Sequence, residues 1–469
     1  GHARSSFAQA PSPTGTQDNS STFTINSAGW KDIGSAPDGL AFPALRGSDP
    51  FIAWRVHPPK MGLSSRPRYK LPPTPTPIPT PKKEWRCPFV EKGSRISYPR
   101  KHASVPGVST QQFSREAQPM RVQRSLSASA ALVLALIVIV GVRAALRPAS
   151  TSPIAGPNAI AAVERIELGG VEQTVLIRGH DQSAPVLLYL HGGPGFAHLP
   201  MAPAYSDELE KHFVVVHWDQ RGAGASCEGT DYEGLEPGQI VDDTIELSEK
   251  LASRFGGDGR VVLLGHSWGS IVGARAVRAR PDLYYAYVGL GQLVNGRQNE
   301  VLSYNWVVEE AERRGDQDAL SLLRTITPPY ENYDQVSEQR RWLMSYGGTV
   351  YATDRAKSFL WPLLTGPEYT IGTRLSFLSC FSASIDALWD VIDAVDFQTQ
   401  IPRLEVPVFF FTGKHDWNTP YPLVEEWAEV LEAPSVEIVW FEDSAHMIPM
   451  ESPASFQQAL IDKVLPLTR

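Results

Sequence analysis

Six short apolar runs, separated by longer amphipathic stretches, constrain the fold of this 469-residue chain most strongly. The runs are VLLYL (186–190), FVVVHW (213–218), VVLLG (261–265), YVGLG (287–291), VPVFFFTG (406–413) and VEIVWF (436–441). Runs of this length without polar alternation are typical of strands buried on both faces of a parallel sheet. The stretches 240–255 and 423–433 between them have helical periodicity. We therefore predict an α/β fold with a doubly wound, mostly parallel sheet covered by helices on both faces.

The same alternation predicts the domain boundaries. It begins near residue 160, and VEQTVLIRG (171–179) alternates like an early antiparallel strand. It stops between residues 296 and 400, where helical patterns follow one another without a convincing strand. We predict a core built from residues 160–295 and 401–469, with residues 296–400 forming a helical cap over the ligand-binding edge of the sheet.

The first 119 residues differ in composition from the rest of the chain. They are rich in Ser, Pro, Gly and Gln, and they carry sixteen Lys and Arg against seven Asp and Glu. This composition predicts disorder. Three alternatives remain for this segment: a solvated tail, a partner-binding arm, or an extension foreign to the native protein. The third is an alternative because Met120 is a candidate start. The rest of the chain is strongly acidic, which argues against nucleic-acid binding.

The segment 120–147 has the pattern of a targeting or anchoring sequence. Arg121 and Arg124 precede an uncharged apolar stretch, 125–142, which ends at Arg143. A membrane-spanning helix needs about 20 residues, and the apolar core of a signal peptide about 7 to 15. A signal anchor and a cleaved signal peptide both remain open, with residues 148–159 as a linker. In either case we expect a membrane-anchored, secreted or periplasmic protein rather than a cytoplasmic one.

The stretch VVLLGHSWGSIVG (261–273) places a serine between two glycines where a predicted strand meets a predicted helix. A strand that turns directly into a helix forces its apex residue into a strained conformation, and side chains on the flanking residues would collide with the two elements. Gly265 and Gly269 permit this turn. Ser267 is therefore predicted to be a nucleophile, exposed at the amino end of the helix.

A nucleophilic serine needs a base, and the base needs an acid that orients it. His446 follows the last predicted strand, and Asp416 follows the strand before it. The chain order Ser267, Asp416, His446 is the one that this architecture requires. Asp443 remains a rival acid. His266 and His415, which adjoin the nucleophile and the acid, are expected to be packing or surface residues.

Acyl transfer also needs N–H donors for the negatively charged oxygen that forms during the reaction. We predict the backbone N–H of Trp268, directly after the nucleophile, and that of Gly193 in the HGGPG loop (191–195), with Gly192 as the other candidate in the loop. This chemistry requires no metal and no cofactor. The three cysteines, Cys87, Cys227 and Cys380, have no CxxC spacing and predict neither a disulfide framework nor a zinc site.

Together these motifs resemble those of the α/β-hydrolase superfamily. HGGPG combined with DQRGAGAS (219–226) resembles its proline-iminopeptidase-like branch, and the resemblance extends from about residue 160 to 469. It implies a serine hydrolase that acts through an acyl-enzyme on a small-molecule or short-peptide substrate. It also implies that Asp219 and Arg221 belong to a structural loop.

The cap departs from that family. The acidic W-x-x-W-E-like pattern, which in proline iminopeptidases contacts the amino terminus of the substrate, is absent between 296 and 400. The nearest candidates for substrate binding are Glu300, Glu309, Glu310 and the Trp389-Asp390 pair, and of these we select Glu300 and Trp389. An aminopeptidase, a carboxylesterase or amidase, an acyltransferase and a non-catalytic binding protein therefore remain as alternatives. The sequence does not predict the oligomeric state.

Overall fold

The computed structural model describes residues 130–136, 139, 141, 143, 147–255, 257–351 and 361–469. Within them one eight-stranded sheet has the order β1-β2-β4-β3-β5-β6-β7-β8. The strands are β1 (Ile160–Leu168), β2 (Val171–Gly179), β3 (Val186–Leu190), β4 (Val214–Asp219), β5 (Val261–His266), β6 (Tyr284–Leu290), β7 (Val408–Gly413) and β8 (Val436–Phe441). β2 pairs antiparallel with β1 and β4, and all other neighbours are parallel. The predicted mostly parallel sheet is confirmed.

Helices pack on both faces of this sheet and form the cap. They are α1 (Pro203–Ser206), α2 (Pro237–Phe255), α3 (Trp268–Ala279), α4 (Gly296–Arg314), α5 (Gln317–Leu323), α6 (Tyr333–Tyr346), α7 (Ile371–Asp393), α8 (Phe397–Gln400), α9 (Tyr421–Val430), α10 (Ile448–Glu451) and α11 (Pro453–Ala459). Residues 361–365 are also helical. The predicted disorder of residues 1–119 lies outside the described residues.

The central strands are buried on both faces, as their continuous apolar runs predict. In β5, Val261 and Leu263 pack into one hydrophobic cluster, whereas Val262 and Leu264 pack into a second cluster on the other face of the sheet. Successive side chains of a strand point to opposite faces, so a strand covered on both sides must be apolar at every position. This is why the sequence signal was strong for β3 to β7, whereas β8, at the other edge of the sheet, is mostly half-buried.

β1, one of the two edge strands, was not predicted from the sequence. Its residues, IAAVERIEL, are mostly half-buried or exposed and include three charged side chains. An edge strand with one solvated face does not show a continuous apolar run. β1 pairs along its whole length with β2, from Ile160 opposite Gly179 to Leu168 opposite Val171.

The cap consists of helices in the described part of residues 296–393, and its two ends meet. Asn295 and Asp396 form an isolated β-bridge at the junction with the core. The helix boundaries follow local signals: the Asn295 side chain caps α4, and Gly315 and Gly347 end α4 and α6 in the left-handed conformation.

A disulfide bond joins the cap to the core. Cys227, in the loop after β4, is bonded to Cys380 of α7, 153 residues further along the chain. The sequence did not predict this bond. Their spacing carried no signal, because the pairing depends on how the cap folds back over the core.

Candidate active site

Ser267 occupies the sharp turn between β5 and α3. Its φ and ψ angles are 54° and −118°, and it is the one non-glycine residue with positive φ in the described part of the chain. A Cβ atom on Gly265 would lie 2.2 Å from the carbonyl oxygen of Gly269, and one on Gly269 would lie 2.4 Å from that of Leu190. Only glycine therefore fits on either side of the serine. The predicted strand-turn-helix geometry is present, and it leaves Ser267 half-buried at the carboxyl edge of the sheet.

His446 and Asp416 lie side by side, although they are 30 residues apart. The Nδ1 atom of His446 is 2.8 Å from Oδ2 of Asp416, and both side chains are almost fully buried. The other oxygen of Asp416 accepts the backbone N–H groups of Asn418 and Thr419, and the Thr419 hydroxyl donates to Oδ2. These bonds fix the carboxylate so that it orients the imidazole ring.

The loop that carries His446 is held by Glu451, a residue that the sequence analysis did not select. One oxygen of Glu451 accepts the N–H groups of Ala445 and Met447, which flank His446 in the chain. The N–H of His446 itself donates to the carbonyl of Thr349 in the cap. Burial raises the pKa of the Glu451 carboxyl above its usual value.

The two predicted N–H donors lie beside Ser267. Trp268 is the first residue of α3, so its N–H has no acceptor within the helix. Gly192 and Gly193 line the same cavity as Ser267, and a Cβ on Gly192 would lie only 3.1 Å from Cβ of Ser267. The glycines thus let the HGGPG backbone approach the serine.

The DQRG motif supports this loop. The Gln220 N–H donates to Nε2 of His191, and the Gln220 side chain bonds both the His191 carbonyl and the Trp268 indole. Arg221 forms an ion pair with the buried Asp243. Asp219 accepts hydrogen bonds from the Ala225 N–H and from the Tyr369 hydroxyl. These contacts are those of a structural loop, as the resemblance implied for Asp219 and Arg221.

Core and cap enclose a cavity of about 470 Å³ in which the predicted residues meet. Its lining includes Ser267, Trp268, His446, Gly192, Gly193, Glu300 and Trp389, which are all of the predicted site residues except Asp416. Asp416 lies behind His446 and is fully buried. A volume of this size suits a small ligand.

One end of the cavity is polar. Glu300 of α4 forms an ion pair with Arg340 of α6, at 2.6 Å between Oε1 and Nη2. The neighbouring Asn299 donates to the same Glu300 oxygen and to the carbonyl of Asn418, in the Asp416 loop. The remaining oxygens, Oδ1 of Asn299 and Oε2 of Glu300, are buried and have no hydrogen-bond partner among the described residues. The sequence analysis selected Glu300 but missed Asn299 and Arg340.

The other histidine and acidic residues considered in the sequence either pack against the site or lie away from it. The rings of His266 and His446 are 4.8 Å apart, and burial first and the neighbouring His446 second lower the pKa of His266 to about 3. His415 stacks on Tyr351, and Asp443 is exposed. Glu309 is exposed, and Glu310 pairs with two arginines of its own helix.

Within the described residues, no group of three or more His, Cys, Asp and Glu side chains is arranged to hold a metal ion.

Comparison with known proteins identifies the family. Residues 187–459 match the model of the alpha/beta hydrolase family, which is more than half of the chain. The chain belongs to this family. A probable aminopeptidase of Bacillus subtilis strain 168 is 33% identical to this hydrolase over 306 residues, covering 65% of this chain and 96% of the relative. The proline iminopeptidase of Saccharolobus solfataricus is 26% identical, covering 60% and 86% of the two chains.

A solved structure is similar as well. The proline iminopeptidase-related protein of Thermus thermophilus is 20% identical to this hydrolase, with a TM-score of 0.48, covering 66% of this chain and 99% of the other. The family match and the two named relatives confirm the resemblance to the proline-iminopeptidase-like branch.

Proposed function

We propose that this alpha/beta hydrolase is a serine aminopeptidase that cleaves short peptides after an N-terminal residue. Ser267 is the nucleophile, His446 the base and Asp416 the acid that orients it. The observation that carries the proposal is that Asn299 and Glu300 line the cavity of Ser267, and that each has a buried oxygen without a hydrogen-bond partner among the described residues. The names of the relatives support the same reaction class.

The reaction proceeds through an acyl-enzyme. The Ser267 oxygen attacks the carbonyl carbon of the first peptide bond while Nε2 of His446 takes the serine proton. The N–H groups of Trp268 and Gly193 stabilise the negatively charged oxygen of the tetrahedral intermediate. His446 then donates the proton to the leaving amine, and a water molecule, deprotonated by His446, hydrolyses the ester on Ser267.

The polar end of the cavity selects the substrate. Arg340 neutralises one oxygen of Glu300 and leaves the other as an acceptor, beside that of Asn299. A protonated amine supplies several donors and satisfies both oxygens, whereas an acyl group without an amine leaves them unpaired. An unsatisfied buried acceptor costs about 1 to 3 kcal/mol. The site therefore favours substrates with a free α-amino group.

A matched pair of substrates tests this selection. Alanyl-p-nitroanilide and propionyl-p-nitroanilide differ only in the α-amino group, and we expect kcat/KM to be at least about tenfold higher for the alanyl compound. Glu300→Gln should reduce this preference, whereas Glu309→Gln, at an exposed position of the same helix, should preserve it. Equal or faster hydrolysis of the propionyl compound would contradict the proposal. Ser267→Ala serves as the blank, and prolyl-p-nitroanilide measures the preference for proline.

A carboxylesterase or amidase is the second candidate function. Much of the cavity is apolar, with Met201, Met344, Met447 and Met450 in its lining. Flexible methionine side chains adapt to varied apolar groups. Under this alternative, p-nitrophenyl butyrate is hydrolysed more efficiently than the p-nitrophenyl ester of alanine. Acyl transfer to an amine or alcohol would use the same residues and would appear as a transfer product when that acceptor is added.

We further propose that the enzyme works outside the cytosol, anchored through residues 125–142 or released from a signal peptide. The Cys227–Cys380 disulfide supports this location, because disulfides persist in oxidising compartments. Amino-terminal sequencing of the protein from membrane and soluble fractions distinguishes the anchored form from the cleaved one.

A further inference from the structure

The cap exposes a group of large apolar side chains that the proposed chemistry does not use. Trp361 and Leu364 lie in the helical residues 361–365, and Leu375 and Leu378 lie in the first part of α7. Their exposed fractions are 68%, 59%, 81% and 74%. We call these four residues the cap patch. Exposed apolar groups of this kind mark interaction surfaces.

The surface of α7 around the patch has no exposed charge. Its opposite face packs inward through Phe377, Cys380 and Ile385. The exposed positions in the first half of the helix are Gly372, Leu375, Leu378, Ser379 and Ser382. The one charged residue of this half, Arg374, is half-buried and donates to the carbonyl of Gly366. The second half differs, since Asp386 and Asp390 are exposed.

A second exposed apolar surface precedes the core in the chain. The helical residues 130–136 belong to the uncharged stretch 125–142, and Leu132, Val133, Leu134 and Leu136 are each more than half exposed. Among the described residues, these two groups account for most of the large exposed apolar side chains. Both surfaces lack a protein partner in the described residues.

The linker ties the chain after the apolar segment to the part of the cap that carries the patch. The Ser150 N–H donates to the carbonyl of Pro367, at 3.0 Å, and the Thr151 hydroxyl donates to Glu368, at 2.9 Å. Pro367 and Glu368 lie between the two halves of the cap patch in the chain. Ser150 follows Arg143 by seven positions in the chain, and seven such steps span at most about 25 Å. The end of the apolar segment is therefore tied to the side of the cap that carries the patch.

We propose that the cap patch lies in the interface of the lipid bilayer in which residues 125–142 are anchored. A short tether that enters the bilayer brings the adjoining surface of the cap to the headgroup layer. Tryptophan and leucine side chains suit that layer, and an uncharged helix face avoids the cost of placing charge there.

Spin labels on the full-length protein test this contact. Leu375→Cys and Leu364→Cys are each made in a Cys87→Ser background, labelled with a nitroxide, and reconstituted into vesicles of phosphatidylcholine and phosphatidylglycerol. Val430→Cys, at an exposed apolar position of α9 away from the cap, is the matched control. Collision rates with oxygen, which concentrates in lipid, and with a water-soluble nickel chelate report the environment of each label.

We expect the ratio of oxygen to nickel collisions to be several-fold higher at positions 375 and 364 than at 430. A ratio equal to that at 430 would place the patch in water and overturn the proposal. Low collision rates with both reagents would also overturn it, because they would mean that protein covers the patch. The two positions give independent readings, and hydrolysis of the best substrate by each labelled variant shows that the fold is retained.

Discussion

The backbone of Ser267 stores strain that serves its position. A φ of 54° is unfavourable for any residue with a Cβ atom, and such conformations cost about 1 to 3 kcal/mol. The neighbouring elements impose it, since the N–H of Ser267 donates to the carbonyl of Leu290 in β6 and its carbonyl accepts from Ser270. This strained turn places the Ser267 side chain in the wall of the cavity.

Two substitutions at this residue separate strain from chemistry. Both Ser267→Gly and Ser267→Ala remove the hydroxyl and should abolish hydrolysis. Only glycine relieves the positive φ, so we expect the glycine variant to be more stable than the alanine variant by about 1 kcal/mol after the entropic cost of glycine. Thermal unfolding of the two proteins measures this difference. Equal melting temperatures would show that the relief of strain does not exceed the entropic cost of glycine.

Asp416 and Asp443 both precede His446 in the chain, and variants of the two identify the acid. Asp416→Asn keeps the shape of the side chain but stabilises the wrong tautomer of His446, so kcat should fall by about 10³ to 10⁴. Asp443→Asn changes an exposed residue and should leave kcat within about twofold. Both values come from steady-state assays on one substrate. A large loss with Asp443→Asn alone would reverse the assignment.

At the scale of elements, the disulfide fastens α7 to the core. α7 contributes Phe381, Ile385 and Trp389 to the cavity wall, so its position determines the shape of the cavity. In the chain-entropy view, a bond that closes a loop of 153 residues stabilises the folded protein by about 2 to 5 kcal/mol.

Breaking this bond should therefore lower stability and weaken substrate binding. We expect Cys227→Ser/Cys380→Ser to lower the melting temperature by several degrees and to raise KM more than it lowers kcat, because the residues proposed to react lie on the core. Cys87→Ser, which does not touch the bond, is the control. Adding a reductant to the native protein should reproduce the effect, and an unchanged KM would show that the cap holds its position without the disulfide.

The elements differ in how well the sequence predicts them, for physical reasons. β5 was predicted to within a residue because a strand buried on both faces is apolar throughout. β8, at the other edge of the sheet, was predicted from its apolar run, although only Phe441 of this strand is fully buried. β1 was missed because it is solvated on one side. The cap was recognised as helical, yet the pairing of Glu300 with Arg340 was not foreseen, because it depends on how α4 packs against α6. Ser267, Asp416 and His446 were selected because each follows a recognisable strand.

At the scale of the whole molecule, several histidine side chains are buried. His191, His198, His217 and His266 are each at least 94% buried. Burial is the main reason that the pKa values of all four are lowered. The pKa of His191 falls to about 4 and those of His217 and His266 to about 3, and the pKa of His198 is also lowered. Both ring nitrogens of His217 lack a hydrogen-bond partner within the described residues. The folded protein therefore keeps these rings neutral in mildly acidic solution.

This burial predicts how stability depends on pH. Histidine has a pKa near 6.5 in an unfolded chain. Above that pH the histidine rings are neutral in both the folded and the unfolded protein. Below it the unfolded chain binds protons that the folded protein does not bind. The free energy of unfolding therefore falls as the pH decreases from 6.5 towards 4. Each buried histidine contributes about 1.4 kcal/mol per pH unit in this window. Burial raises the pKa of Asp219 to about 8, and that group acts in the opposite direction.

A substitution of His217 isolates one of these contributions. Asp219 contributes equally to the native protein and to His217→Phe, so its contribution cancels when the two are compared. As the pH is lowered from about 5.5 to 4.5, the free energy of unfolding of the variant should rise by about 1.4 kcal/mol relative to that of the native protein. Urea unfolding at these two pH values measures the gain. His180→Phe, at an exposed position, is the control. A stability difference that does not change with pH would mean that His217 is charged, or solvated, in the folded protein.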